Sequence, residues 1–359
     1  MSRSRESFIF CALLMGYALL LVFVGDTAGG SFGTALAAGA VEQSRPIVIA
    51  HRGASGYLPE HTLASKALAY GLGSDYIEQD VVVTKDDVLI VLHDIYLDTV
   101  TDVASKFTSR KREDGRYYAV DFTLAEILTL QARERIDLKT GAAVFPARFP
   151  ISATGFLVPT LEQEIEMILN LNKSTGQNVG IYIEFKAPKW HKSQGKDIIS
   201  LLMATLEKHE LNNHRAKLFV QCFDPESLKE LGRRYKPKFP LVQLIGDNAW
   251  KEVDADFKQM LTPAGIKEVS SYASGIGPWI PQVLDSLDER KNIRKGSFLE
   301  AAHALGLQIH PFTLRTDALP SGYTSADDLL LVLFKNAKVT GVFADQPDVV
   351  LRYLKTHRK

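Results

Sequence analysis

Two histidines stand at the ends of apolar runs, His51 after Ile47-Val48-Ile49-Ala50 and His93 after Leu89-Ile90-Val91-Leu92. Two further runs carry charges at alternate positions, Glu78-Gln79-Asp80 and Glu184-Phe185-Lys186. In an extended strand residues i and i+2 share a face, so each pair presents both of its charges to one side. Adjacent carboxylates repel, and one must hold its proton unless a cation lies between them. A divalent metal bound by Glu78, Asp80 and Glu184 resolves that repulsion. An all-oxygen set without cysteine or a histidine cluster suits Mg²⁺ or Ca²⁺ better than zinc, and ligand type alone leaves both ions open. Two imidazoles beside such a metal match phosphodiester cleavage. One ring takes the proton of the attacking oxygen and the other protonates the leaving alkoxide, each role worth about 10²–10⁴-fold. Arg52 and Lys186 supply positive charge for the phosphoryl oxygens. A structural ion pair between Lys186 and one carboxylate explains any single pair, but not three acids, an arginine and a lysine together.

The elements that must position these residues alternate in type. Strands are expected at 47–51, 75–80, 179–186, 217–223, 241–245, 275–277, 307–313 and 341–345. Helices are expected at 61–72, 161–172, 195–208, 225–235, 263–273, 296–305, 325–336 and 347–354. Eight strands each followed by a helix predict an α/β fold, a closed (β/α)8 barrel of the TIM type, over an open doubly wound sheet or two domains. The polar residues fall at strand C-termini, where such barrels keep their sites. Residues 88–93 form an extra strand turned back on the second by Lys85-Asp86-Asp87. Residues 99–160 break the rhythm and read as an insertion after the second strand, lying over the barrel mouth, with one short helix at 124–131. Its basic run, Lys106, Arg110, Lys111 and Arg112, fits a solvated surface equally well. Residues 278–295 are a second irregular stretch, a lid or a long loop.

The totals exclude little. Of 359 residues 46% are hydrophobic and 23% charged, and 42 basic residues balance 42 acidic ones, so nothing points to nucleic acid. Residues 45–359 are expected to form the barrel. Arg3 and Arg5 precede an apolar run at 8–24, and Ala35-Leu36-Ala37 offers a cleavage site. Residues 1–37 thus read as a secretory signal, with export to the periplasm. An uncleaved inner-membrane anchor or a surface location is the alternative; after cleavage no stable membrane insertion is expected. Cys222 alone would remain, so no internal disulfide can form.

The run from His51-Arg52-Gly53 to Pro59-Glu60-His61-Thr62, followed in order by Glu78-x-Asp80, His93-Asp94 and Glu184-x-Lys186, resembles the glycerophosphodiester phosphodiesterases, especially their bacterial periplasmic branch. The likeness extends through Asp114-Gly115-Arg116-Tyr117-Tyr118, Gln221-Cys222-Phe223, Val242-Gln243-Leu244-Ile245, Gly275-Ile276-Gly277-Pro278, His310-Pro311-Phe312-Thr313 and Gly341-Val342-Phe343-Ala344-Asp345. It implies a barrel enzyme that hydrolyses small glycerophosphodiesters, such as glycerophosphocholine and glycerophosphoethanolamine, to an alcohol and sn-glycerol 3-phosphate. By position, His51 and His93 match the acid/base pair and Glu78, Asp80 and Glu184 the metal ligands. Arg52, Glu60 and Lys186 match residues at the phosphate and metal. His61 stands where the family's motif usually has asparagine, as in the periplasmic branch; its plainer role is to open the following helix.

Phe223 and Phe312 are candidates for packing against the glycerol carbons, against plain barrel packing. His310 and Asp345 could face the mouth, fix a loop or, for Asp345, cap a helix. Trp190, Trp250 and Trp279 fall in loops. Two other readings compete: a phospholipase acting on intact lipids with residues 99–160 as its docking surface, and a binding protein without turnover, for which an acid/base pair has no use.

Overall fold

The computed structural model describes residues 45–357; the leader and its cleavage site lie outside them. The strands are β1 (Ile47–Ala50), β2 (Tyr76–Val83), β3 (Leu89–Val91), β4 (Gly180–Phe185), β5 (Leu218–Cys222), β6 (Leu241–Ile245), β7 (Gly275–Pro278), β8 (Gln308–Ile309) and β9 (Gly341–Ala344). They run in the order β8-β7-β6-β5-β4-β2-β1-β9, every neighbour parallel, with β3 paired antiparallel to β2 outside that path. β8 is shorter than expected because Pro311 has no N–H to offer a ladder. The gap between β8 and β9 is bridged by irregular hydrogen bonds instead, Thr340 N to Ile309 O (3.0 Å), Phe343 N to Pro311 O (3.0 Å) and Leu314 N to Phe343 O (2.8 Å). The ring of eight parallel strands is thereby all but closed.

Strand alternation sorts the ring into layers. Ile49, Tyr182, Phe219, Val242 and Phe343 point inward and form a buried plug, with the Tyr182 and Phe219 rings stacked 4.8 Å apart. His310 joins this plug, its Nδ1 3.1 Å from the Tyr182 hydroxyl. Gly180 leaves room for the same layer, since a Cβ there would lie 2.3 Å from the Tyr76 ring. Two residues further along the same strands, the period of two brings His51, Glu184, Gln221, Leu244 and Asp345 to the inner face at the mouth. Glu78 and Asp80 stand two and four residues beyond Tyr76. An apolar floor thus lies one layer beneath the polar site, and the same alternation produces both. The outward face of the ring packs its Val, Ile and Leu residues against the surrounding helices in the main core.

Helix boundaries follow their caps. The helix Leu63–Leu72 starts after Thr62, whose side chain accepts the N–H of Ser65, and stops at Gly73 with φ 92°. Leu161–Thr175 carries a capping box between Thr160 and Gln163. Pro188–Ser193 is a short additional helix ahead of Ile198–Lys208, and the expected helix at 325–336 divides into Ala326–Leu331 and a wider turn, Val332–Asn336. No helix among the described residues is long and apolar enough to cross a membrane.

The insertion is a packed cap. Leu97, Val100, Val103, Tyr117, Phe122, Ile127, Leu130 and Val158 make a hydrophobic cluster of their own, joined to the barrel through Val82 and Ile90. Its basic run is mostly structural: Arg110 pairs with Glu126, and Arg112 with Asp121, both at 2.7 Å.

Candidate active site

A cleft of about 290 Å³ opens at the C-terminal ends of the strands and is lined by His51, Arg52, Glu78, Asp80, His93, Glu184 and Lys186 among others. The register sets Asp80 beside Glu184 and Glu184 beside Gln221. One oxygen from each of Glu78, Asp80 and Glu184 lies within 4.8 Å of the others, and all three side chains are buried. Arg52 N donates to Glu78 Oε2 at 2.7 Å and Gln221 Nε2 to Oε1 at 3.2 Å. Lys186 Nζ donates to Glu184 Oε1 at 2.6 Å. Burial, with the charge of Asp80, pushes Glu78 up to about 8; burial lifts Glu184 well above the carboxylate range, Lys186 opposing it. Burial also works to raise Asp80, but the hydrogen bond from His61 and the charge of Lys186 hold it well down. Asp80 Oδ1 is buried without a hydrogen-bond partner. Crowded carboxylates, two of them pushed towards keeping their protons, and an orphaned oxygen fit a divalent cation held by Glu78, Asp80 and Glu184. A second acidic group, Glu162, Glu166 and His209, sits on the surface, where Lys208 and His209 already pair with Glu162.

Each cleft histidine is backed by an aspartate. His51 Nδ1 lies 2.6 Å from Asp345 Oδ1, and Asp345 Oδ2 accepts from Arg148 Nη2 at 2.7 Å and Arg315 Nε at 2.9 Å. His93 Nδ1 lies 2.6 Å from Asp94 Oδ1, and Asp94 Oδ2 accepts from Arg135 Nη1 at 2.6 Å and Thr99 Oγ1 at 2.8 Å. Each carboxylate accepts a hydrogen bond from Nδ1–H, which leaves the Nε2 lone pair of each ring free. Burial and the Arg52 charge bring His51 down to about 4 against the pull of Asp345. Burial, Arg52 and Lys186 lower His93 as well. Both shifts favour the neutral ring.

Glu60 does not line the cleft. Its carboxylate accepts from Arg52 Nη1 at 3.0 Å and from Arg135 Nη2 at 2.7 Å, so it bears on the site by aiming Arg52. Phe223 and Phe312 both line the cleft and meet edge to face with centroids 5.7 Å apart. Lys186 Nζ lies 5.3 Å from the Phe223 centroid. Trp250 and Trp279 extend this aromatic wall, whereas Trp190 stacks on Tyr118 in the cap. His310 is confined to the plug below. The helix after β9 takes Gln346, not Asp345, as its N-cap, which leaves the Asp345 carboxylate to His51.

Residues 51–349 match the profile of the glycerophosphoryl diester phosphodiesterase family. The chain belongs to that family. Among this family member's relatives is a glycerophosphodiester phosphodiesterase of Haemophilus influenzae, 42% identical over 355 residues that cover 94% of this chain and 98% of that protein. Another, from Bacillus subtilis, is 30% identical over 350 residues, covering 96% and 97%. The fold is shared with a phosphodiesterase of Oleispira antarctica solved with the product sn-glycerol-3-phosphate, at TM-score 0.59 and 20% identity, over 87% of this chain and 97% of that one. It is shared also with a glycerophosphodiester phosphodiesterase of Agrobacterium tumefaciens, at TM-score 0.56 and 23% identity, over 86% and 99%.

Several residues of this phosphodiesterase site escaped sequence reasoning. Glu252 lines the cleft and lies 3.2 Å from Lys186 Nζ. Arg135 and Arg148 arrive from the cap, and Arg315 from the loop after β8. None of these has a periodic neighbourhood to mark it. His61, read as opening a helix, lies 2.7 Å from Asp80. Asp94 was marked, by its place directly after His93.

Proposed function

We propose that this enzyme cleaves small glycerophosphodiesters to an alcohol and sn-glycerol 3-phosphate, with His51 and His93 as acid and base and a divalent cation, Ca²⁺ in preference to Mg²⁺, held by Glu78, Asp80 and Glu184. The observation that carries this reading is the pairing of two aspartate-backed imidazoles with a three-carboxylate cluster in one cleft. The product bound to the Oleispira antarctica phosphodiesterase is the one expected here. When bound, the cation would polarise a phosphoryl oxygen and neutralise the crowded carboxylates.

The remaining work falls to side chains. Arg52, aimed by Glu60, and Lys186 face the phosphoryl oxygens and stabilise the charge that gathers there. One Nε2 lone pair takes the proton of the attacking oxygen. The ring that serves as acid gains its proton as the phosphodiester anion enters, since a nearby negative charge favours the imidazolium. Asp345 and Asp94 keep the rings in the required tautomer. Phe223 and Phe312 offer an apolar wall to the glycerol carbons. The leader's sequence supports export to the periplasm.

The test is release of glycerol 3-phosphate from glycerophosphocholine by residues 38–359, measured with EDTA and then with Ca²⁺ or Mg²⁺ restored. Turnover that EDTA stops and one ion restores supports the reading. Folded protein inert with either ion sinks it.

A further inference from the structure

Behind the carboxylate cluster runs a line of buried side chains that the reaction does not touch. Lys66, on the helix Leu63–Leu72, is completely buried. Its Nζ donates to the carbonyl of Glu78, lies 3.2 Å from His61 Nδ1, and pairs at 3.0 Å with Glu164, which is equally buried. An ammonium has only protons to give. His61 Nδ1 must therefore be the acceptor, which places the ring proton on Nε2, and Nε2 lies 2.7 Å from Asp80 Oδ2. One oxygen of Asp80 is thus taken. The other, Oδ1, is buried without a hydrogen-bond partner.

We infer that His61 is a positioning residue that presents Asp80 to the cation through Oδ1 alone, its tautomer fixed by Lys66 and Glu164. The ion pair is what makes the arrangement one-directional. Were Nδ1 instead the protonated nitrogen, it would face an ammonium, and Nε2 would set a lone pair against a carboxylate oxygen. A carboxylate confined to one oxygen still serves Ca²⁺, which accepts carboxylates through one oxygen or both, but it matters more to Mg²⁺ with its strict octahedral geometry. His61 therefore sets both the strength of cation binding and the margin between Mg²⁺ and Ca²⁺. Partners of this kind typically change metal affinity by about 10–100-fold.

This inference rests on the metal reading of the cluster, and calorimetry on metal-free protein separates the two. Ca²⁺ and Mg²⁺ are titrated into the wild type, His61→Ala and His61→Gln, with folding checked by circular dichroism and melting temperature. The expected result is a Kd for Ca²⁺ about 10–100-fold weaker in His61→Ala. Mg²⁺ should lose more affinity than Ca²⁺, and His61→Gln, which keeps an amide donor, should recover part of both. Should His61→Ala fail to fold, His61→Gln against Lys66→Met/Glu164→Leu carries the comparison, because the double change removes both buried charges together. The double variant is then expected to bind more weakly than the wild type, at a Kd shifted toward that of the His61 variants. Variants that melt lower yet bind both ions as the wild type does would show a merely structural His61 and overturn the inference. Equal losses for both ions would overturn its selectivity part. A wild type that binds neither ion would instead overturn the metal reading itself.

Discussion

Arg148 of the cap and Asp345 at the end of β9 meet at 2.7 Å, and through that carboxylate the cap orients His51 on the opposite flank of the same aspartate. Asp345→Asn keeps the shape but loses the charge that fixes the Nδ1 proton. We expect kcat to fall by about 10²–10⁴-fold with KM little changed. Steady-state kinetics on glycerophosphocholine decides it; a variant with near wild-type kcat removes Asp345 from the mechanism.

His51→Ala and His93→Ala should each lower kcat by about 10²–10⁴-fold while calorimetry still detects cation binding. The double variant should be scarcely slower than the worse single one, because an acid and a base act as a unit. Multiplicative losses would mean that the rings serve separate steps.

Glu78→Gln should weaken the cation without blocking the chemistry, so activity should return in part at high Ca²⁺. Activity rising along the wild-type metal curve would take Glu78 out of the ligand set.

His310 sets an acid limit to stability. Burial brings it down to about 3, against 6.5 in the unfolded chain. Between those values the unfolded chain holds the extra proton, so stability falls as pH drops from about 6.5 towards 3, by up to about 1.4 kcal/mol per pH unit. Above 6.5 this contribution is fully present and flat. Urea unfolding of wild type and His310→Asn between pH 7 and 4.5 should show a shallower slope for the variant. Parallel slopes would mean that His310 is not the group lost.

What could be read from the sequence was what obeys a period. The i, i+2 acids at 78, 80 and 184 and the polar residues ending each strand were visible because a strand alternates its faces, and the same rule builds the plug beneath them. Arg135 and Arg148 were not visible: they lie in irregular chain, and only the cap's folding carries them to Asp94 and Asp345. The family resemblance puts Glu60 at the phosphate and metal, yet Arg52 and Arg135 claim its carboxylate. The sequence offers His61 a place in the family's motif and a plainer role opening the next helix, because its partner Asp80 is nineteen residues away, on β2.

β3 runs antiparallel to β2 and lies outside the nearly closed ring. His51 is mounted on a staved wall whose spacing is common to all eight members, while His93 hangs from a side bracket fastened by the cap. That bracket is laddered onto β2, and Leu92 N donates to Asp80 O at 2.9 Å, so a shift that moves His93 is felt in the strand that carries Glu78 and Asp80. The distance between the two imidazoles and the placing of Asp80 are therefore set together, by one hairpin held under the cap.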